Sequence, residues 1–182
     1  MSRRLFSVVL VLACLPVIAR ADEKENPYKS AKKGDWVSYK MSTKFGDFKS
    51  EGTMKQLVTQ KDDKSVTVKI SMHLMGADLP AHEQKIDLTK PFDPSTAAMP
   101  GAGNAKVEKL GTGKETIEIG GKKYECEWVK TKMTIDANGM KIESESKVWM
   151  SKSASLGGLV KMESKLAQGS TTMELTGSGT EK

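Results

Sequence analysis

The side chains that could do chemistry are few in this 182-residue chain, and they do not cluster. Its two histidines, His73 and His82, belong to no nucleophile or metal motif. Past residue 21 the one cysteine is Cys126, which alternates with Tyr124 and Trp128 and so shares their apolar face. A lone cysteine forms no internal disulfide, and on an apolar face it reads as a small buried hydrophobe. The run Met72-His73-Leu74-Met75 offers two thioethers and an imidazole, ligands that suit Cu(I). On a strand, however, Met72 and Met75 point to opposite faces, because their separation is odd. Carboxylates are scattered, and no pair stands out as acid and base. There is no phosphate-cradling loop and no dinucleotide fingerprint. The sequence therefore nominates no catalytic, cofactor-binding or metal-ligating residue, and a non-enzymatic protein is expected.

The charge pattern narrows the partners. Arg3 and Arg4 precede an apolar run from Leu5 to Ile18, and Ala19-Arg20-Ala21 closes it with small residues at both positions a signal peptidase reads. Export with cleavage after Ala21 is expected, to the periplasm or outside the cell. The alternative is a lipoprotein anchored at Cys14, since Val11-Leu12-Ala13-Cys14 loosely resembles a lipobox. Removal of 21 residues leaves 161 and takes away all three arginines. The 26 lysines that remain face 23 acids, so the net charge falls from +6 to +3. Without arginine the chain lacks the usual bidentate reader of phosphate and guanine. Its lysines alternate with acids, as in Lys141-Ile142-Glu143, which describes a solvated strand face and excludes a nucleic-acid track. Nothing after the leader is long and apolar enough to span a bilayer.

The elements that must position any site are strands. Asn26-Pro27 is a cap followed by a first-turn proline, and predicts one short N-terminal helix ending at Gly34. From Asp35 onward apolar residues recur with period two. The clearest run is Val66, Val68, Ile70, Met72 and Leu74. The stretch from Leu79 to Leu88 reads as an edge strand or irregular connection. Asp62-Asp63-Lys64, Gly120-Gly121, Asn138-Gly139, Gly157-Gly158 and Gln168-Gly169-Ser170 mark turns. Residues 90–105 form a long loop with a helical turn over 94–98. In the strand from Lys123 to Ile135 the apolar phase slips, which predicts a bulge near Trp128-Val129 and a buried Trp128. The expected fold is all-β: an antiparallel meander of about eight to ten strands, curled into a barrel or half-barrel because so little helix is available to cover it. One domain over residues 22–176 and a flexible tail over 177–182 complete the layout.

Gly113-Lys114-Glu115-Thr116-Ile117-Glu118-Ile119, Lys147-Val148-Trp149-Met150-Ser151 and Gly34-Asp35-Trp36-Val37 resemble stretches of uncharacterised exported bacterial β-rich proteins. In layout the chain is more distantly similar to the periplasmic lipoprotein-carrier half-barrels. That likeness implies an apolar concavity for acyl chains, although the buried arginine those carriers use as a gate has no counterpart here. The ten methionines of the mature chain fit such a surface, being flexible and polarizable. The function expected is an exported binding module for a lipid-like apolar small molecule, with Val68, Ile70, Met72, Met133, Met140 and Ile142 as its wall. The alternative is a structural or protein-interaction protein of the cell envelope whose core is filled by its own side chains.

Overall fold

The computed structural model describes residues 26–92, 106–137 and 140–181. Nine antiparallel strands make one sheet: β1 (Asp35–Phe45), β2 (Phe48–Lys61), β3 (Ser65–Leu74), β4 (Ala77–Asp87), β5 (Lys106–Ile119), β6 (Lys122–Ala137), β7 (Met140–Met150), β8 (Leu159–Leu166) and β9 (Gly169–Thr180). The order across the sheet is β4-β3-β2-β1-β9-β8-β7-β6-β5. Every neighbour is thus a hairpin partner except β1 and β9, which join the two halves of the meander. The strands β4 and β5 are left as edges, and no hydrogen bonding pairs them among the described residues. The barrel or half-barrel expected from the sequence is therefore not formed: the sheet is open and not strongly curled. Lack of helix forces a sheet to protect its face, but it does not force the two edges to meet.

The predicted N-terminal helix is a single 3-10 turn, Pro27–Ser30. Asn26 accepts from the Tyr28 amide at 3.1 Å, but the next apolar side chains already follow strand spacing. A second 3-10 turn spans Leu156–Gly158. Among the described residues no helix is long and apolar enough to cross a membrane.

The turn chemistry acts where the sequence places it. Gly120 and Gly121 both have positive φ, as a two-residue hairpin demands. The Asp62 carboxylate accepts from the Lys64 and Ser65 amides at 2.8 and 2.7 Å and from the Ser65 hydroxyl at 2.9 Å. These bonds stabilise the charged form and lower its pKa. The Leu79–Leu88 stretch is the edge strand β4, with Pro80 at its bulge against β3. The Asn138-Gly139 turn and the helical turn over 94–98 lie outside the described residues, as do the leader and Cys14.

Two expectations change. First, β6 pairs with β7 without a register shift from Glu127 to Ala137, so no bulge lies at Trp128-Val129. The bulge sits in β5, at Leu110 between Lys109 and Gly111. Tyr124, Cys126 and Trp128 consequently face one side of the sheet, and Val129, Thr131 and Met133 face the other. Second, β9 runs past Gly177 to Thr180, where a flexible tail is expected. Thr176 is bulged out, and beyond it Trp36 lies over Gly177 and Gly179. The indole covers backbone that glycine leaves bare.

The greater part of the core occupies one face of the sheet and is sealed at one end. Val37, Tyr39, Val58, Val66, Val68, Val160 and Leu175 are buried there. Tyr124, Cys126 and Trp149 are buried on the other face. The N-terminal turn lies across the sealed end: Tyr28 packs against Gly157 and, at 6.0 Å between ring centres, against Phe92. The Lys61 ammonium donates to the Ala31 carbonyl at 2.6 Å, and Asn26 donates to Asp87 at 3.3 Å, fixing the plug to β2 and β4. Burial pushes the Tyr28 hydroxyl up to about 12. Burial, with Tyr28 beside it, raises Tyr39 further.

Candidate functional site

The catalytic candidates stay apart. Cys126 on β6 is buried and unpaired, and five strands separate it from His73 on β3. Burial, then the nearby Glu115 charge, pushes the thiol up and away from reactivity. His73 meets Asp78 at 2.9 Å on the exposed surface. Met75 stands in a turn with φ of 54° and is solvent-exposed, so the Met72–Met75 pair makes no one-face chelate. No group of three or more metal-ligating side chains is present among the described residues. A depression of about 730 Å³ is lined by Asp62, Asp63, Lys64, Ser65, Lys85, Asp87 and Thr89. Its carboxylates hold their own turns: Asp87 accepts from the Thr89 amide and hydroxyl at 2.9 and 2.6 Å.

Most strand lysines belong to the face opposite the core. Lys40–Glu51, Lys130–Glu145, Lys132–Glu143 and Lys161–Glu174 pair across strands at 2.8–3.1 Å. In the second half of the sheet this face also carries a Trp–Lys–Trp stack. The Lys147 ammonium lies 4.5 Å from the Trp128 ring centre and 4.3 Å from that of Trp149. Glu115 accepts from the Trp149 indole and, at 3.1 Å, from Lys147. Trp149 is the buried indole, at 5% exposure, while Trp128 is half-buried over Gly111 and Gly113. The Trp128 expected to be buried is thus only half-buried: it lies over two glycines of the edge strand β5, whereas Trp149 sits one strand further in with Lys147 and Lys161 over its ring.

The core-bearing face changes character from its sealed end to its open end, in rows that cross the sheet. Next to the sealed core lies a methionine row, with Met41, Met173 and Met162 in direct register and Met54 opposite Met72 beside it. Then comes a row of hydroxyls, Ser50, Thr43, Thr171, Ser164, Ser146 and Thr131, each opposite the next. Beyond it Phe48, Phe45, Leu166, Met133 and Val107 form an apolar rim. The rim is held together through its turns, because the Gly46 amide donates to the Gln168 carbonyl at 3.1 Å and so ties the β1–β2 tip to the β8–β9 tip.

The residues expected to form an apolar wall divide along this axis. Val68 and Ile70 are 1% and 4% exposed, so the protein's own core covers them. Met72 and Met133 are half-buried. Met140 and Ile142 pair with Ala137 and Ile135 near the open end of β7, and their side chains lie outside the described part. The rim aromatics and the hydroxyl row were missed. Their signal is legible in hindsight as Ser or Thr two residues from a core methionine, in Met41-x-Thr43, Met162-x-Ser164 and Thr171-x-Met173.

No family model and no curated protein matches the chain. Among solved structures, a candidate exported protein with a YmcC-like fold from Bacteroides fragilis superposes with a TM-score of 0.54 at 12% identity, covering 81% of this chain and 96% of that one. The fold is similar to that YmcC-like fold. The resemblance to exported β-rich proteins read from the sequence agrees with it. A LolA superfamily protein from Nitrosomonas europaea (TM-score 0.28, 11% identity, 88% and 91% covered) and LprF from Mycobacterium bovis (0.32, 10%, 80% and 87%) overlap more loosely.

Proposed function

We propose that the protein is an exported, non-enzymatic binding module that holds an apolar, lipid-like ligand on the core-bearing face at the open end of its sheet. One observation carries the reading: the large hydrophobic side chains left exposed, Phe45, Phe48, Met75, Leu79, Val107, Leu110 and Leu166, all belong to that end. Phe45, Phe48, Leu79, Val107 and Leu166 share the core-bearing face by register. Scattered exposed apolar residues need no explanation, but a contiguous group at one end of a face does. In this reading Met72 and Met133, with Met140 and Ile142 placed by register, line the ligand beside the rim.

Titration of a fluorescent fatty-acid or phospholipid probe into delipidated protein tests the proposal. Saturable binding that scatters little with salt is expected, because burial and not charge drives it. The filled state of Val68 and Ile70 favours a second reading, a surface-interaction protein of the cell envelope with a complete core. Failure of every apolar probe to bind saturably puts that reading ahead.

A further inference from the structure

The hydroxyl row stands between two largely apolar rows, and it runs across six adjacent strands. At about 4.8 Å per strand it is roughly 24 Å long. Such a band has to account for its hydrogen bonds. Thr43 and Thr171 share one at 3.2 Å, and the Ser146 hydroxyl donates to Ser164 at 3.1 Å. A hydroxyl pair uses one of its two O–H groups internally, so each pair keeps a donor in reserve. At the β2 end of the row the Ser50 Oγ is buried with no hydrogen-bond partner. In the rim row itself, between Leu166 and Met133, the Ser144 Oγ is buried and unpartnered as well. Donors are thus in excess along the row. Cations are nearly absent from it: Lys44, Lys49, Lys130, Lys132, Lys147 and Lys161 alternate onto the opposite face, and Lys109 reaches the row only at the exposed edge strand β5.

We infer that this row is the head-group site of the apolar ligand, and that the group it takes is a neutral carbonyl, as in an acyl ester. The inference rests on the proposed function. Spare O–H donors match a carbonyl acceptor, the flanking methionine and phenylalanine rows match alkyl chain, and a carboxylate would enter an apolar face without a cation to pair with it. Desolvated hydroxyls also penalise a ligand with no acceptor, since such a ligand leaves them unpaired.

The experiment uses the full exported chain and displacement of N-phenyl-1-naphthylamine by methyl laurate, laurate and dodecane. In the wild type methyl laurate binds more tightly than laurate. In a Thr43→Val/Ser50→Ala variant methyl laurate weakens about fivefold to tenfold, the equivalent of one lost hydrogen bond, while dodecane holds or tightens. Thr171→Val repeats the test on the neighbouring strand should the double variant fold poorly. Equal loss for ester and alkane, or laurate binding more tightly than its ester, overturns the inference and leaves apolar binding standing. Displacement by none of the three in the wild type overturns the proposed function and the inference with it.

Discussion

Replacing Phe45 and Phe48 by serine separates a ligand rim from ordinary packing. The two rings are 55% and 51% exposed. A phenylalanine presents about 200 Å² when fully exposed, so together they offer about 210 Å² of apolar surface. At about 25 cal/mol per Å², complete coverage by a ligand contributes about 5 kcal/mol, and half coverage about 2.5 kcal/mol. Half coverage corresponds to a loss of about seventyfold in affinity for Phe45→Ser/Phe48→Ser. Folding is affected through the other half of each ring, which faces its partner across the β1–β2 pair: about 190 Å² leaves water, and at the same coefficient this contributes at most about 4–5 kcal/mol. Probe titration gives the affinity and urea unfolding the stability, on the same preparations. An unchanged dissociation constant in a folded variant refutes the rim as a binding surface. A drop in stability well beyond about 5 kcal/mol refutes the assignment of these rings as half-exposed.

Three further outcomes follow from the geometry. Trp149→Ala costs about 3–5 kcal/mol in urea unfolding and Trp128→Ala distinctly less, because Trp149 is buried while Trp128 is partly in water; the reverse order would contradict this and restore the buried Trp128 expected from the sequence. Ser144→Ala is neutral or stabilises by up to about 1 kcal/mol, since its hydroxyl is unpartnered, whereas Ser164→Ala, which strips Ser146 of its acceptor, destabilises by about that amount; chemical denaturation of both decides it. Glu115 is held below the ordinary carboxylate range, first by the Trp149 indole and then by Lys147. Because its folded-state pKa is the lower one, the stability it supplies is complete above the unfolded-state value and is lost as pH falls through the folded-state value. The stability gap between wild type and Glu115→Gln therefore narrows on acidification, and a gap independent of pH in paired denaturation curves contradicts the role given to that carboxylate.

Local chemistry made much of this protein legible in its sequence. Period-two alternation identifies strands because successive side chains must leave a strand on opposite sides, and Val66 to Leu74 became β3 as read. Gly120-Gly121 and the Asp62 turn declare themselves because few residues accept positive φ or hold a turn by their own carboxylate. The absence of arginine after residue 20 and the lone Cys126 beyond it are equally local facts. Alternation states that two faces exist, but it does not say which one the rest of the molecule will cover. That is why the partial exposure of Trp128 was not legible: it shares a face with Tyr124 and Cys126 as alternation requires, but over the glycines of the edge strand β5 that face stays open, and the buried indole is Trp149. The pairing of β1 with β9, and the gap between β4 and β5, depend on partners more than a hundred residues apart or at opposite ends of a connection, and no hairpin signal specifies them. The hydroxyl row is of the same kind. Each serine or threonine is unremarkable in its own strand, and only the register of six strands sets them side by side, because cross-strand neighbours are chosen by tertiary hydrogen bonding and not by sequence spacing.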